Sequence, residues 1–193
     1  MSWHFRLVTW FVSNCNSCSG RYALAIELQK IINVDIYGTC SGKDLPHSNE
    51  KTTLSAYKFY LSFENSKCPE YATEKIYKIL NMEISEKPPV PIVLGPNRTW
   101  YENNLPQNSF IHVDDFNNPL ELGNYLLHLN EEHDQYFKYL DWRRHYKSSH
   151  EPSLRCQMCE KLVQNDTKQN KPFVITDFES FWSKNDCDLS SMT

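Results

Sequence analysis

The residues best suited to chemistry crowd into Tyr57 to Lys75, "YKFYLSFENSKCPEYATEK". An apolar and aromatic run there gives way to Glu64, Asn65, Tyr71, Thr73, Glu74 and Lys75. Thr73 is a candidate N-cap for a helix that starts at Glu74, its hydroxyl accepting from exposed main-chain N–H groups. A helix N-terminus attracts anions, phosphate among them. Lys75 adds a full positive charge in that first turn. Arg21, in the first turn of an earlier helix, adds a planar donor fork that suits phosphate. The Glu74 carboxylate can accept from two sugar hydroxyls, and the Tyr71 ring offers a flat face to a base or sugar. Phosphate, hydroxyls and a ring are the parts of a nucleotide. The same residues also fit an ordinary capped helix with a solvated Glu-Lys pair, and the pattern alone leaves both readings open. No G-x-G-x-x-G and no P-loop is present, so neither a dinucleotide fold nor an NTPase is indicated.

Elements of a particular kind must position these residues. Residues 5 to 13, "FRLVTWFVS", read as a buried strand, followed by the turn cluster "NCNSCSG". Residues 21 to 32 carry Leu24, Leu28, Ile31 and Ile32 at helical spacing, and "VDIYG" is a short strand closed by Gly38. That is a β-α-β opening, the unit of a parallel sheet. After a polar loop, "YKFYLSF" is a strand and a helix begins near Thr73. "VPIVLG" at 90 to 95 is a continuous apolar run of the kind covered on both faces, and "SFIHVDDF" at 109 to 116 is a further strand. "NPLELGNYLLHLN" reads as a helix with Asn118 as N-cap and Pro119 at its first position. "EEHDQYFKYLDWRRHY" reads as another helix, acidic at its start and basic at its end. Beyond about His150 the pattern weakens into a tail with "CQMC", a linker-like "NDTKQNKP" and a short helix over "TDFESFWS". The expected fold is α/β, with an open, mostly parallel Rossmann-like sheet over residues 1–150 and a tail over 151–193. In such sheets ligands bind beyond the carboxyl ends of the strands, where Asn14, Arg21, Glu64, Asn65 and Gly95 fall.

The chain has 193 residues, 40% of them hydrophobic and 13% aromatic, enough for a real core. A net charge of -4 lacks the basic surplus of a nucleic-acid binder, although Arg143-Arg144 can hold an anion. No run of about 18 apolar residues encodes a transmembrane helix. The N-terminus reads as a strand rather than a signal peptide, which taken alone says cytosol. Seven cysteines and two N-x-[ST] sequons, at Asn97 and Asn165, lean instead towards a secretory compartment. The odd cysteine count leaves at least one thiol unpaired within the chain.

In order and spacing, "FVSNC" with Arg21 downstream, "VDIYG", "YKFYLSFENSKCPEYATEK", "VPIVLG", "SFIHVDDF" and "YLDWR" resemble the C-terminal half of the α1,3-fucosyltransferases. Their most characteristic signature is "FENS-x-C-x-x-Y-x-TEK", and the likeness runs from residue 5 to about 160. The resemblance implies half of a two-domain GT-B glycosyltransferase. That half binds GDP-fucose; the N-terminal acceptor domain, with the catalytic base, and the membrane anchor are absent from this chain. Arg21 and Lys75 then look like pyrophosphate ligands, Glu74 like the ribose ligand, and Asn65 and Tyr71 like further donor contacts. The implied reaction is an inverting transfer of L-fucose to a GlcNAc residue of a glycoprotein or glycolipid glycan, with the chain alone inactive. No cofactor is obligatory and a divalent cation is at most stimulatory. The implied setting is the Golgi lumen, as part of a single-pass type II membrane protein, with no nucleic-acid partner. The alternative is a non-catalytic or truncated GDP-sugar-binding module, and a different nucleotide-sugar donor is a third reading. Glu64, Asp114 and Asp115 lie near the site, but none is marked as the base. "DCD" at 186 to 188 and "VDD" at 113 to 115 make no convincing metal motif.

Two features depart from the family or stay open. "IYKILNMEISEKPP" is a few residues longer than the family usual, and its place beside the donor site would bear on how fucose sits. Cys15-x-x-Cys18 and Cys156-x-x-Cys159 could form a four-thiolate zinc site. The lumenal reading makes Cys15, Cys40, Cys68, Cys156 and Cys159 disulfide candidates, with a Cys15–Cys40 bond and a bond at Cys68 among the options. A C-terminal C-x-x-C with oxidised members is what the family implies.

Overall fold

A computed structural model describes residues 6–45, 50–146, 158–160 and 162–163. Cys156, Cys187, Asn165 and the short helix expected over "TDFESFWS" lie outside the described residues. Five strands, β1 (Arg6–Phe11), β2 (Val34–Tyr37), β3 (Tyr57–Phe63), β4 (Val90–Leu94) and β5 (Ile111–His112), form one sheet in the order β2-β1-β3-β4-β5. Every pairing in it is parallel. Helices α1 (Arg21–Gln29), α2 (Glu50–Leu54), α3 (Glu74–Leu80), α4 (Arg98–Asn104), α5 (Pro119–Glu131) and α6 (His133–Lys138) complete the α/β architecture.

The two central strands explain the layering. All seven residues of β3 and all five of β4 are buried, as expected of central strands covered on both faces; β4 is apolar throughout, while β3 buries Lys58 and Ser62 among its apolar residues. Side chains alternate between the faces. Phe59, Leu61, Phe63, Ile92 and Leu94 point into a core with Leu28 of α1 and Leu122 and Leu126 of α5. Tyr60 packs on the other face with Leu54 and Ile79, and Val93 with Ile76, Tyr101 and Phe110. Helices α1 and α5 can touch closely because Gly123 has no side chain: a Cβ there would stand 2.8 Å from Ile31 Cγ2.

Several elements differ from expectation. The strand over 109–116 shrinks to Ile111–His112, because the chain enters a 3-10 turn over Val113–Asp115. The Asp114 N–H donates to His112 Nδ1 at 3.1 Å, and His112 Nε2 lies 3.1 Å from the Pro96 carbonyl. The helix expected over 131–146 breaks into α6 and a 3-10 turn over Asp141–Arg144. Tertiary bonds compete with continued helix there: the Arg143 fork donates to the carbonyls of Ile79, Leu80 and Met82 at the end of α3. Helix α2 forms inside the expected polar loop, and α4 follows Gly95-Pro96 unforeseen. Asn97 starts α4 by accepting from the Trp100 N–H at 2.9 Å, so the sequon asparagine is also an N-cap. The long segment between α3 and β4 folds as a 3-10 turn over Ile84–Glu86 and enters β4 at its amino end. Of the stretch expected beside the candidate site, Ile76 to Leu80 belong to α3, which starts there, and the part beyond α3 lies at the amino end of the sheet, away from the carboxyl-end connections.

Candidate functional site

The strand order sets where a ligand can bind. The chain leaves β1 for β2 on one side and β3 for β4 on the other, so the carboxyl ends of β1 and β3 flank a topological switch point. Two connections meet there, residues 12–20 and residues 64–73, and polar bonds stitch them together. The Ser19 N–H donates to the Asn65 carbonyl at 3.2 Å, and the Ser19 hydroxyl to the Glu64 carbonyl at 2.8 Å. The Cys18 thiol lies 3.6 Å from the Asn65 carbonyl and 3.3 Å from the Ser66 hydroxyl. Beneath them Arg21 is buried. Its Nη1 donates to the Phe63 carbonyl at 2.9 Å and its Nη2 to the Asn14 carbonyl at 2.7 Å. The guanidinium also lies over Trp10, 5.7 Å from the ring centroid. Burial pushes its pKa down, with the charge of Glu64 acting the other way. Arg21 thus ties the ends of β1 and β3 into a floor, and its Nε has no hydrogen-bond partner among the described residues.

A disulfide pins the first connection. Cys15 is bonded to Cys40 in the loop after β2. Gly38 in that loop has φ +105°, and a Cβ on it would stand 2.4 Å from the Val12 carbonyl oxygen, so only glycine lets the loops approach. The disulfide removes Cys15 as a thiolate and overturns the four-thiolate zinc reading. Cys68 is disulfide-bonded as well.

The second connection is organised by Glu64, buried at 1% exposure. Its Oε1 accepts from the Thr73 N–H at 2.8 Å, and its Oε2 from the Thr73 hydroxyl at 2.7 Å and from Lys75 Nζ at 2.8 Å. Lys75 Nζ also donates to the Thr73 hydroxyl oxygen at 2.6 Å. Thr73 occupies the N-cap position of α3, but its hydroxyl points to Glu64 and makes no cap bond, contrary to the sequence expectation. Gly95 makes room for the acid: a Cβ there would meet Glu64 Cγ and Tyr101 Oη, each at 2.9 Å.

Above this floor the remaining candidates are accessible. Glu70 takes φ 60°, a left-handed conformation rare for a non-glycine residue, and the turn around it carries Tyr71. Tyr71 and Asn65 are half-buried, and the Glu74 side chain is 75% exposed. Burial raises the Glu74 pKa, but its own main-chain N–H, the Lys75 charge and the Thr73 hydroxyl outweigh that, so the net shift is downward. Glu74 is therefore an ionised acceptor at neutral pH. Next to the crevice a cleft of about 280 Å³ opens between the starts of α1 and α5, lined by Ser19, Gly20, Lys67, Leu94, Phe116 and Asn118 among others.

All five sequence-derived donor candidates lie on these two connections or the first turns of α1 and α3. They divide into a buried residue, Arg21, and four that keep part of their surface exposed, Asn65, Tyr71, Glu74 and Lys75. Sequence reasoning placed Glu64 and Gly95 at strand ends without a role for either and missed Ser19, since none bears a pattern that announces its partners. Asp115 is paired with Arg98 and Asp114 is exposed, so neither is arranged as a base. Asn97 is exposed at the start of α4, its amide nitrogen uninvolved in the cap bond.

Comparison with known proteins gives the family. The profile of glycosyltransferase family 10 (fucosyltransferase), C-terminal region, matches residues 2–180. Human 4-galactosyl-N-acetylglucosaminide 3-alpha-L-fucosyltransferase FUT5 is 44% identical over 165 residues, 84% of this chain and 43% of that protein. Human 3-galactosyl-N-acetylglucosaminide 4-alpha-L-fucosyltransferase FUT3 is 44% identical over 84% of this chain and 44% of its own length. The chain thus spans less than half the length of these curated relatives. A crystal structure of alpha1,3-fucosyltransferase with GDP-fucose shares the fold, with a TM-score of 0.65 at 24% identity over 89% of this chain and 49% of that one. A crystal structure of alpha1,3-fucosyltransferase with GDP gives a TM-score of 0.58 at 29% identity over 70% of this chain and 38% of that one. The chain belongs to glycosyltransferase family 10, the fucosyltransferases, and corresponds to its C-terminal region.

Proposed function

We propose that this chain is the donor-holding half of an inverting fucosyltransferase that moves L-fucose from GDP-fucose to a GlcNAc residue of a glycoprotein or glycolipid glycan. One observation supports the reading: Asn65, Tyr71, Glu74 and Lys75 all belong to the connection after β3 or to the first turn of α3 that follows it, beside the switch point, where α/β sheets bind nucleotides. Lys75 meets the diphosphate, Glu74 accepts from the ribose hydroxyls, and Asn65 and Tyr71 complete the donor contacts. Arg21 contributes its charge from the floor and fixes the two loops. The acceptor hydroxyl attacks fucose C1 as the bond from C1 to the β-phosphate oxygen breaks and GDP leaves. The hydroxyl proton passes to a base in the other half of the enzyme. Charge gathering on the leaving diphosphate is stabilised by fixed cations, which act most strongly in the transition state. Those cations do the work a metal does elsewhere, so a divalent cation is at most stimulatory, and GDP binding should survive a chelator. The disulfides favour the Golgi lumen, within a membrane-anchored whole protein; recovery of Cys15 as a free thiol from cells would oppose this.

GDP should raise the melting temperature, because it binds only the folded chain. No shift at millimolar GDP overturns the reading. Competition among GDP-fucose, GDP-mannose and UDP-sugars identifies the donor. Transfer of labelled fucose to an N-acetyllactosamine or N-glycan-core acceptor separates turnover from binding. This chain alone should bind without transferring, and transfer by it alone would refute a base in the other half.

A further inference from the structure

We propose that Glu64 is a positioning residue that holds Lys75 in place for the donor diphosphate; the inference rests on the donor-binding reading above. A buried carboxylate needs its oxygens satisfied, and among the described residues every donor to it comes from Thr73 or Lys75. The lysine is held from two sides, by Glu64 Oε2 and by the Thr73 hydroxyl oxygen. Its side chain keeps 18% of its surface exposed, while Glu64 keeps 1%. Glu64 is therefore out of reach of a ligand, and Lys75 is within reach and already ordered. An ammonium on a flexible four-carbon stem loses freedom when it binds phosphate. Fixing it beforehand removes that loss. The bracket itself depends on Gly95, whose missing side chain leaves the space that the Glu64 stem fills.

The test is a double-mutant cycle on the 193-residue chain, with GDP affinity measured by calorimetry. Glu64→Gln keeps the size but turns an amide N–H towards Lys75 and Thr73, so the bracket opens. In the wild-type background E64Q should weaken GDP about tenfold, the scale of a charge-assisted hydrogen bond. In a Lys75→Met background it should change affinity by less than about twofold, because a residue acting through Lys75 has nothing left to act on. An equal loss in both backgrounds means that Glu64 only supports the fold, and overturns the proposal. So does an E64Q protein that binds GDP like the wild type. Thr73→Ala removes the bridging hydroxyl and leaves the buried acid in place, so the same cycle can be run on it if E64Q does not fold. Its expected loss is smaller, about threefold, and again confined to the lysine background. A wild-type chain that ignores GDP refutes the donor-binding reading and this inference together. GDP binding with additive losses refutes this inference alone.

Discussion

The Cys15–Cys40 disulfide offers the sharpest test of how the site is held. It joins residues 25 apart in sequence and ties the connection after β1 to the loop after β2. Replacing both cysteines by serine frees that loop in the unfolded chain. The loop-closure relation for 25 residues gives an entropy near 12 cal/mol/K, or about 3.5 kcal/mol at 25 °C. Only the paired substitution is informative, because a reductant would also open the disulfide at Cys68. Urea unfolding of C15S/C40S against the oxidised wild type should show a loss of about 2–4 kcal/mol, read from the midpoint at equal slope. Donor affinity should fall too, since residues 12–20 form one wall of the crevice. A loss below about 1 kcal/mol would show that the contacts at Gly38 and Val12 hold the loop without the bond. A lost site with undiminished stability would show that the bond acts on the folded loop rather than on the unfolded chain.

Gly95→Ala should cost about 1–3 kcal/mol by overpacking, because the new methyl would collide with Glu64 Cγ and Tyr101 Oη. It should weaken GDP binding as well; thermal melting together with calorimetry checks both, and a stable protein with unchanged affinity refutes the crowding argument. Arg143→Ala should cost about 2–3 kcal/mol in urea unfolding, by removing the guanidinium bonds to the Ile79 and Leu80 carbonyls at the end of α3. Burial pulls the Arg143 pKa down to about 10, so the side chain stays charged at neutral pH and the loss should be the same at pH 6 and pH 8. A change within about 0.5 kcal/mol would mean that relief of the buried charge offsets the lost bonds.

The sheet was legible because its signals were local. "VPIVL" could be placed as a doubly covered strand from its unbroken apolar character, "YKFYLSF" as a strand from its aromatic and apolar residues, and Asn118-Pro119 announced α5 by its cap. What was not legible came from bonds between distant residues. The strand over 109–116 looked long until His112 turned to hold Pro96 and Asp114. The last helix looked continuous until Arg143 was drawn to the end of α3. At the site, the sequence marked Glu74 and Lys75 through the "TEK" triplet and the family likeness. It could not show that Thr73 would serve Glu64 instead of the helix, because Glu64 lies nine residues back and meets Thr73 only after the turn around Glu70 forms.

The charges at the switch point therefore have two kinds of work, and mutation should separate them. Arg21 and Glu64 are buried, and each is bonded to parts of both connections or to the start of α3. Removing one partner from such a buried arrangement leaves polar groups unsatisfied, at about 3–5 kcal/mol. Glu74 is exposed, so its replacement by alanine should cost stability little, within about 0.5 kcal/mol, and the half-buried Tyr71 should cost less than the buried pair. Lys75 stands between the groups, ordered by Glu64 yet reachable. If the nucleotide binds here, substitutions at Arg21, Glu64 and Lys75 should lose both stability and affinity, and those at Glu74 and Tyr71 chiefly affinity. An ordinary capped helix start, the other reading that "TEK" allowed, would put no affinity loss on any of them.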